Sequence, residues 1–353
     1  MRSHIVRIVP VALAITSIGC GRSEPDRLPH QLPAPPAAAK SLPTRVDAPL
    51  AALPAAPATD PKKVALGERL YFDPMLSGDG TISCASCHAL DKGGTDSPRR
   101  TSLGIHGQEG PINAPTVFNA AFNVVQFWDG RAASLEEQAA GPVANPKEMG
   151  AEWDAVVAKL QADPIYTQAF VAAGYPEGPS KANATHAIAE YERTLVTPAR
   201  FDRFAGGDVG ALSEDEREGL GLFTTLGCTG CHSGPAIGGT MFQKMGVMKD
   251  YFALRGTPLT DADLGRFNVT RKEPDKHFFK VPTMRNVELT APYFHDGAVA
   301  TLEAAIDTMA RVQLGRALPP TDIAKLAAFL RSLTGEKLPT APAAPPKGAM
   351  LGP

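Results

Sequence analysis

The chain has 353 residues, with 35 Lys and Arg against 37 Asp and Glu and a formal charge of -2. Near-neutrality excludes the strongly basic field of a nucleic-acid binder, and the length suits two modest domains. An odd count of five cysteines excludes a simple disulfide framework and asks for another use of sulfur.

Arg2 and Arg7 precede an apolar run from Ile8 to Ile18, too short for a mature membrane span and patterned as an export signal over residues 1–20. Ser17-Ile18-Gly19-Cys20 resembles the lipobox of bacterial lipoproteins, which would make Cys20 a lipid-bearing residue and anchor the protein to a membrane on the periplasmic side. Residues 21–60, rich in Pro and Ala, are expected to form an extended tether, and residues 338–353 a disordered tail. Between them, helical patterns run over 61–72, 134–140, 152–162, 181–196, 213–226, 301–310 and 321–333. Ser213 and Glu216 make a capping box, and Gly335 closes the last helix. Alternating apolar runs are scarce, so the fold class expected is mostly α.

Cys84-Ala85-Ser86-Cys87-His88 has the spacing of a c-type haem attachment, with both sulfurs joined to the haem and His88 as proximal iron ligand. The pattern returns as Cys228-Thr229-Gly230-Cys231-His232. A zinc site from two CxxC pairs is the alternative, and it leaves both histidines unexplained and the pairs too far apart in sequence. Four cysteines for two haem c groups and one for lipid use all five, and haem attachment outside the cytoplasm agrees with export.

The chain also repeats itself. Residues 115–136 align without gaps to 282–303 with nine identities in 22 positions, among them Pro115-Thr116, Asn119, Phe127 and Asp129-Gly130 against Pro282-Thr283, Asn286, Phe294 and Asp296-Gly297. Two cytochrome c-like haem domains arising from a duplication are expected, over 61–205 and 206–337, with the last helix able to return to the first. The copies differ where chemistry matters. The second places Met309, a potential sixth iron ligand, on its helix. The first has Pro142 there, and offers Gln138 and Glu148. Core packing for Met309 and a solvated carboxylate for Glu148 are the structural alternatives.

These motifs, in the order CxxCH, Gly110 to Thr116, Gln126 to Ala132, CxxCH, Ala291 to Gly297 and a helical Met309, resemble the bacterial dihaem cytochrome c peroxidases over about residues 60–337. The resemblance implies a periplasmic enzyme that reduces hydrogen peroxide to water with electrons from a small cytochrome c or cupredoxin. It implies His88 at a peroxidatic haem, His232 and Met309 at an electron-transferring haem, Trp128 between them, and Gln138 and Glu148 at the peroxide site. It also implies one calcium ion held by Asn113 and the backbone oxygens of Thr290 and Pro292, and often a homodimer. In that family a histidine after a glycine closes the peroxidatic iron at rest. That register falls on Ile105 here, with His106 next; His106 as ligand is the expectation, and a permanently open iron the alternative. A MauG-like oxidase of a protein substrate would carry a tyrosine in place of Met309, and a plain dihaem electron carrier would need both irons closed. His4, His30, His186, His277 and His295 are expected to be solvated or structural.

Overall fold

The computed structural model describes residues 42–342; the export signal, Cys20, His4, His30, the start of the tether and the end of the tail lie outside the described residues. Among the described residues, twelve α-helices fall in the order α1 Pro61–Phe72, α2 Cys84–Cys87, α3 Leu135–Ala144, α4 Trp153–Ala162, α5 Pro164–Ala172, α6 Lys181–Glu192, α7 Arg200–Ala205, α8 Glu214–Thr225, α9 Tyr251–Arg255, α10 Phe267–Thr270, α11 Leu302–Gln313 and α12 Pro320–Arg331. A two-stranded antiparallel ribbon, β1 Phe242–Lys244 and β2 Phe278–Lys280, sets Phe242 opposite Lys280. The protein is helix-rich with a minimal sheet, and no helix among the described residues is long and apolar enough to cross a membrane.

The helices start where their caps dictate. Asp60 caps α1 ahead of Pro61, Ser134 caps α3, Ser180 caps α6, and Ser213 with Glu216 forms the expected box on α8. Two helix pairs carry the architecture. In the first, α1 lies on α6, and a core with Leu66, Leu70, Phe170 and Ile188 fills behind it. In the second, α8 lies on α12 over Phe201, Leu220, Phe223 and Phe329. Phe201 and Phe204 of α7, within the span 61–205 expected for the first domain, pack in this second core.

The two aligned segments repeat backbone conformations as well as residues. Asn119 and Asn286 both take left-handed φ near +60°, as do Phe127 and Phe294 at +65° and +73°. The bridge Gln126–Ala132 recurs as Tyr293–Val299, and the capping Ser134 of α3 recurs as Thr301 of α11. Asn119 and Asn286 both donate from Nδ2 to the Thr197 hydroxyl at 2.8 Å, which ties the segments at one buried point.

The Pro/Ala-rich stretch holds no helix over residues 42–60, in line with extended chain, yet it is fastened rather than free. Leu50 is buried in the second core, and the Leu53 N–H donates to Asp202 at 2.7 Å. A leucine every few residues in an alanine-rich run is enough to hold a strap once a groove meets it. After α12 the chain crosses back, and Leu338 packs beside Tyr71 and Leu90 of the first half.

Candidate functional site

Each CxxCH segment opens onto its own cavity. Cys87 and His88 line a cavity of about 120 Å³, and Cys228, Cys231 and His232 line one of about 260 Å³. The pairs therefore cannot converge on one tetrahedral zinc, and the four thiols are free. Burial pushes Cys84 up to about 12 and Cys87 and Cys228 up to about 11, so none of these three is a ready thiolate.

The first cavity is built on a single helical turn. Ser83 caps Cys84–Cys87, the His88 N–H closes the turn on the Cys84 carbonyl at 3.0 Å, and the Tyr71 hydroxyl holds the His88 carbonyl at 2.7 Å. His88 Nδ1 faces the Gly94 carbonyl at 3.3 Å, which makes Nδ1 the protonated nitrogen and leaves Nε2 for a metal. Burial lowers its pKa and keeps the ring neutral, as a ligand requires. Gly94, at φ +73°, lies where a side chain would meet Thr116 and Val117, so this close approach needs glycine.

Across that cavity stand Gln138 and Pro142 of α3 with Glu148, Phe127 and Arg131. Asn145 donates to Glu148 Oε1 at 2.8 Å, while the Ile105 N–H donates to the Glu148 carbonyl at 2.8 Å. Burial raises the Glu148 pKa against the opposing pull of Arg131 and Asn145. Arg131 stacks over Phe127 with its guanidinium 3.5 Å from the ring centre and pairs with Asp129 at 3.0 Å. The solvated loop carboxylate is thereby set aside for Glu148: it is a cavity wall group.

His106 is not brought to this cavity. Its side chain is 68 % exposed and faces Asp79 at 3.6 Å, because the backbone turns left-handed at φ +56° and sends the ring outward while Ile105 goes in. The expectation that it closes the first site is not met in this conformation.

Met309 and Met284 line the second cavity with His232, and Met309 occupies the position of α11 that Pro142 occupies in α3. Burial drives His232 down to about 4, and its Nδ1 has no hydrogen-bond partner of good geometry. A neutral imidazole, a thioether and two thiols around a mostly apolar void fit a covalently held haem. The first cavity fits one as well, through His88 and Cys87 on its wall and Cys84 one turn away on α2. Lys280, buried and lowered to about 8 by desolvation, lines the second cavity and pairs with no carboxylate among the described residues, so it could meet an acidic group of such a ligand.

Trp128 touches both cavities. Its Nε1–H donates to the Asn113 carbonyl at 2.9 Å, its own carbonyl accepts from Lys280 at 2.8 Å, and its ring meets Phe279 edge-on. Asn113, Thr290 and Pro292 all line the second cavity, and Asn113 Nδ2 donates to the Arg100 carbonyl at 3.1 Å. His186 accepts or donates against the Tyr175 hydroxyl at 2.6 Å, and His277 Nδ1 lies 2.8 Å from the Asp263 carbonyl, both structural contacts.

Sequence reasoning missed the cluster beside the second cavity. His295 stacks on Phe279 and bonds Asp263 at 2.8 Å, while Arg255 pairs with Asp263 at 2.7 Å and Asp296 at 2.8 Å. Arg255 and His295 hold Asp263 well below the usual carboxylate range. The guanidinium supplies the positive charge a metal would bring, so the triad reads as an ion-pair cluster. Arg100 reaches it from the first half, donating to the Asp296 carbonyl at 2.7 Å.

Comparison with known proteins agrees with this layout. The family model described as di-haem cytochrome c peroxidase matches residues 61–210. The chain is 52% identical over 283 residues to cytochrome c peroxidase Ccp of Escherichia coli, covering 80% of this chain and 60% of the length of that relative. It is 49% identical over 282 residues to cytochrome c551 peroxidase of Nitrosomonas europaea, covering 78% of this chain and 82% of that one. Among solved structures, a MauG-like protein associated with microbial copper homeostasis superposes with a TM-score of 0.70 at 30% identity, over 84% of this chain and 95% of that one.

Proposed function

This chain belongs to the di-haem cytochrome c peroxidase family, and on that premise we propose that it reduces hydrogen peroxide to water in the first cavity, with electrons received through the second. The observation that carries the division is the asymmetry of one position: Met309 stands in the second cavity, Pro142 in the first, with Glu148 and Gln138 beside it. The repeated backbone of residues 115–136 and 282–303 supports two cytochrome c-like domains arising from a duplication.

When bound, the two haem c groups supply the electrons that break the peroxide O–O bond. The reaction consumes two electrons and two protons and yields two waters. His88 Nε2, oriented by the contact of Nδ1 with the Gly94 carbonyl, and His232 would hold the irons. The Glu148 carboxylate takes a proton from one peroxide oxygen and returns it to the other, and Gln138 orients the molecule. Asn145 keeps the Glu148 carboxyl turned inward. Met309 closes the second site to substrate and suits it to electron relay. A MauG-like oxidation of a protein is disfavoured by that thioether.

Electrons come from a small cytochrome c or cupredoxin, and the protein works on the periplasmic side, anchored through Cys20. The side-chain oxygen of Asn113 and the carbonyls of Thr290 and Pro292 are hard donors suited to one calcium ion. Chelation should then lower turnover, and added calcium should restore it. The deciding experiment is Glu148→Gln. Peroxide turnover with a reduced carrier should fall by about 10²–10⁴-fold with haem absorbance unchanged; near-normal turnover would remove Glu148 from the reaction.

A further inference from the structure

Glu192 ends α6 at the wall of the first cavity, which it lines together with Cys87 and His88. The residue is 5% exposed, and its Oε2 has no hydrogen-bond partner. The nearest obvious counter-charge is already used, because Arg193 pairs with Glu136 of α3 at 2.5 Å and with Glu190 at 3.1 Å.

The other groups around it bring no cation. From α1, the Tyr71 hydroxyl donates to the His88 carbonyl, and burial keeps that phenol neutral. From α2 comes Cys84, a neutral thioether once haem is attached, and on α6 itself Tyr191 is held neutral by burial. Glu68 on α1 is raised by burial and acts on Tyr191. Across the cavity Arg131 is paired with Asp129, and Glu148 is bonded to Asn145. A buried carboxyl with a free oxygen and no partner is costly as an anion, and burial raises Glu192 to about 8 against the pull of Arg193.

An electron arriving beside an unpaired carboxylate is repelled, and the repulsion is removed if the carboxylate binds a proton. We propose that Glu192 is the proton acceptor that balances electron arrival at the first site. Above the raised value, where Glu192 is a carboxylate, one electron from the second site enters the group held by Cys84, Cys87 and His88, and one proton from water joins a Glu192 carboxylate oxygen. This rests on the haem reading of the first cavity given above. It assigns Glu192 a role separate from Glu148, which moves a proton between peroxide oxygens, whereas Glu192 stores one before peroxide arrives.

The test is a spectroelectrochemical titration of the holoenzyme between about pH 6 and about pH 10, across the raised value of about 8. Above the raised value, where Glu192 is ionised before reduction, the first site's potential should fall by about 59 mV for each tenfold drop in proton concentration, the conversion for one electron; below it, where Glu192 already holds its proton, the potential should level off. In Glu192→Gln that slope should vanish while the slope of the second site stays as it was. Equal first-site slopes in the two proteins would overturn the proposal. Infrared difference spectra at about pH 9, one unit above the raised value, give a second readout: reduction should produce a carboxylic-acid carbonyl band in the wild type that shifts in Glu192→Asp, and its absence from the wild type would overturn the proposal even if Glu192→Gln failed to load haem. A wild-type protein without haem absorbance at the first site would sink the haem reading itself, a different failure from a lost slope.

Discussion

Met309 and Pro142 stand at the same position of the two repeats, and a thioether can ligate iron where a pyrrolidine ring cannot. Replacing Met309 with Leu keeps nearly the same volume, so stability should change by less than about 1.5 kcal/mol. The potential of the second site should fall clearly in a redox titration, and an unchanged potential would leave Met309 as core packing. The pKa of Glu148 is raised by burial, so it holds its proton to higher pH than an ordinary carboxyl. The base role proposed for it needs the carboxylate. Turnover should therefore fall as pH drops through that raised value, and a rate profile flat across that range would contradict the base role. Glu192 makes the complementary statement about stability. Its folded pKa, about 8, lies above the ordinary 4.5, so the folded state binds the extra proton in between. The wild type gains full benefit below the ordinary value and loses stability as pH rises towards 8. Glu192→Gln removes that loss, and its stability relative to wild type should climb across this window by at most about 1.4 kcal/mol per pH unit; parallel denaturation curves at all pH values would contradict it.

At the scale of elements, each half is held by a helix pair that crosses on a glycine. A side chain at Gly67 of α1 would run into the Ala187 carbonyl of α6, and one at Gly219 of α8 into the Lys325 carbonyl of α12. Helix propensity alone would favour alanine at either position by about 1 kcal/mol. The clash is with backbone, which cannot swing aside, so Gly67→Ala should instead destabilise by about 1–3 kcal/mol in denaturant titration. A gain in stability would show that the helices can part freely. The helices themselves were legible because caps and apolar spacing are local: Asp60 with Pro61, Ser134 and Ser213 mark their starts in the sequence. α5 was overlooked although Asp163 and Pro164 carry the same start signal as Asp60 and Pro61, since its apolar run follows α4 with hardly a break. The place of α7 was not legible, because Phe201 and Phe204 declare burial but not the partner against which they bury.

The whole molecule explains what could be read of the site and what could not. Covalent attachment depends on residues adjacent in sequence, so both CxxCH segments were evident. Register between repeats exposed the Met309 and Pro142 contrast for the same reason. Orientation was not legible: whether His106 points inward or out is decided by one left-handed residue, and Ile105 takes the inner place. Buried charge was not legible either, because Glu192, Lys280 and the Arg255, Asp263 and His295 cluster look like surface residues until distant segments close over them. Trp128 joins these scales, since it is the aromatic side chain that touches both cavities while bonding Asn113 and Lys280 across the halves. If electrons pass from the second site to the first by way of this contact, the indole matters and its removal should leave both sites intact but poorly connected. Trp128→Phe keeps a ring against Phe279 and loses the hydrogen bond to Asn113. Haem content and both reduction potentials should stay close to wild type, while the rate of electron passage between sites, followed by rapid mixing of the half-reduced protein with peroxide, should drop by about tenfold or more, a barrier increase of at least about 1.4 kcal/mol. An unaltered rate would move the path away from Trp128, to the shared Asn113 to Thr116 wall that both cavities also present.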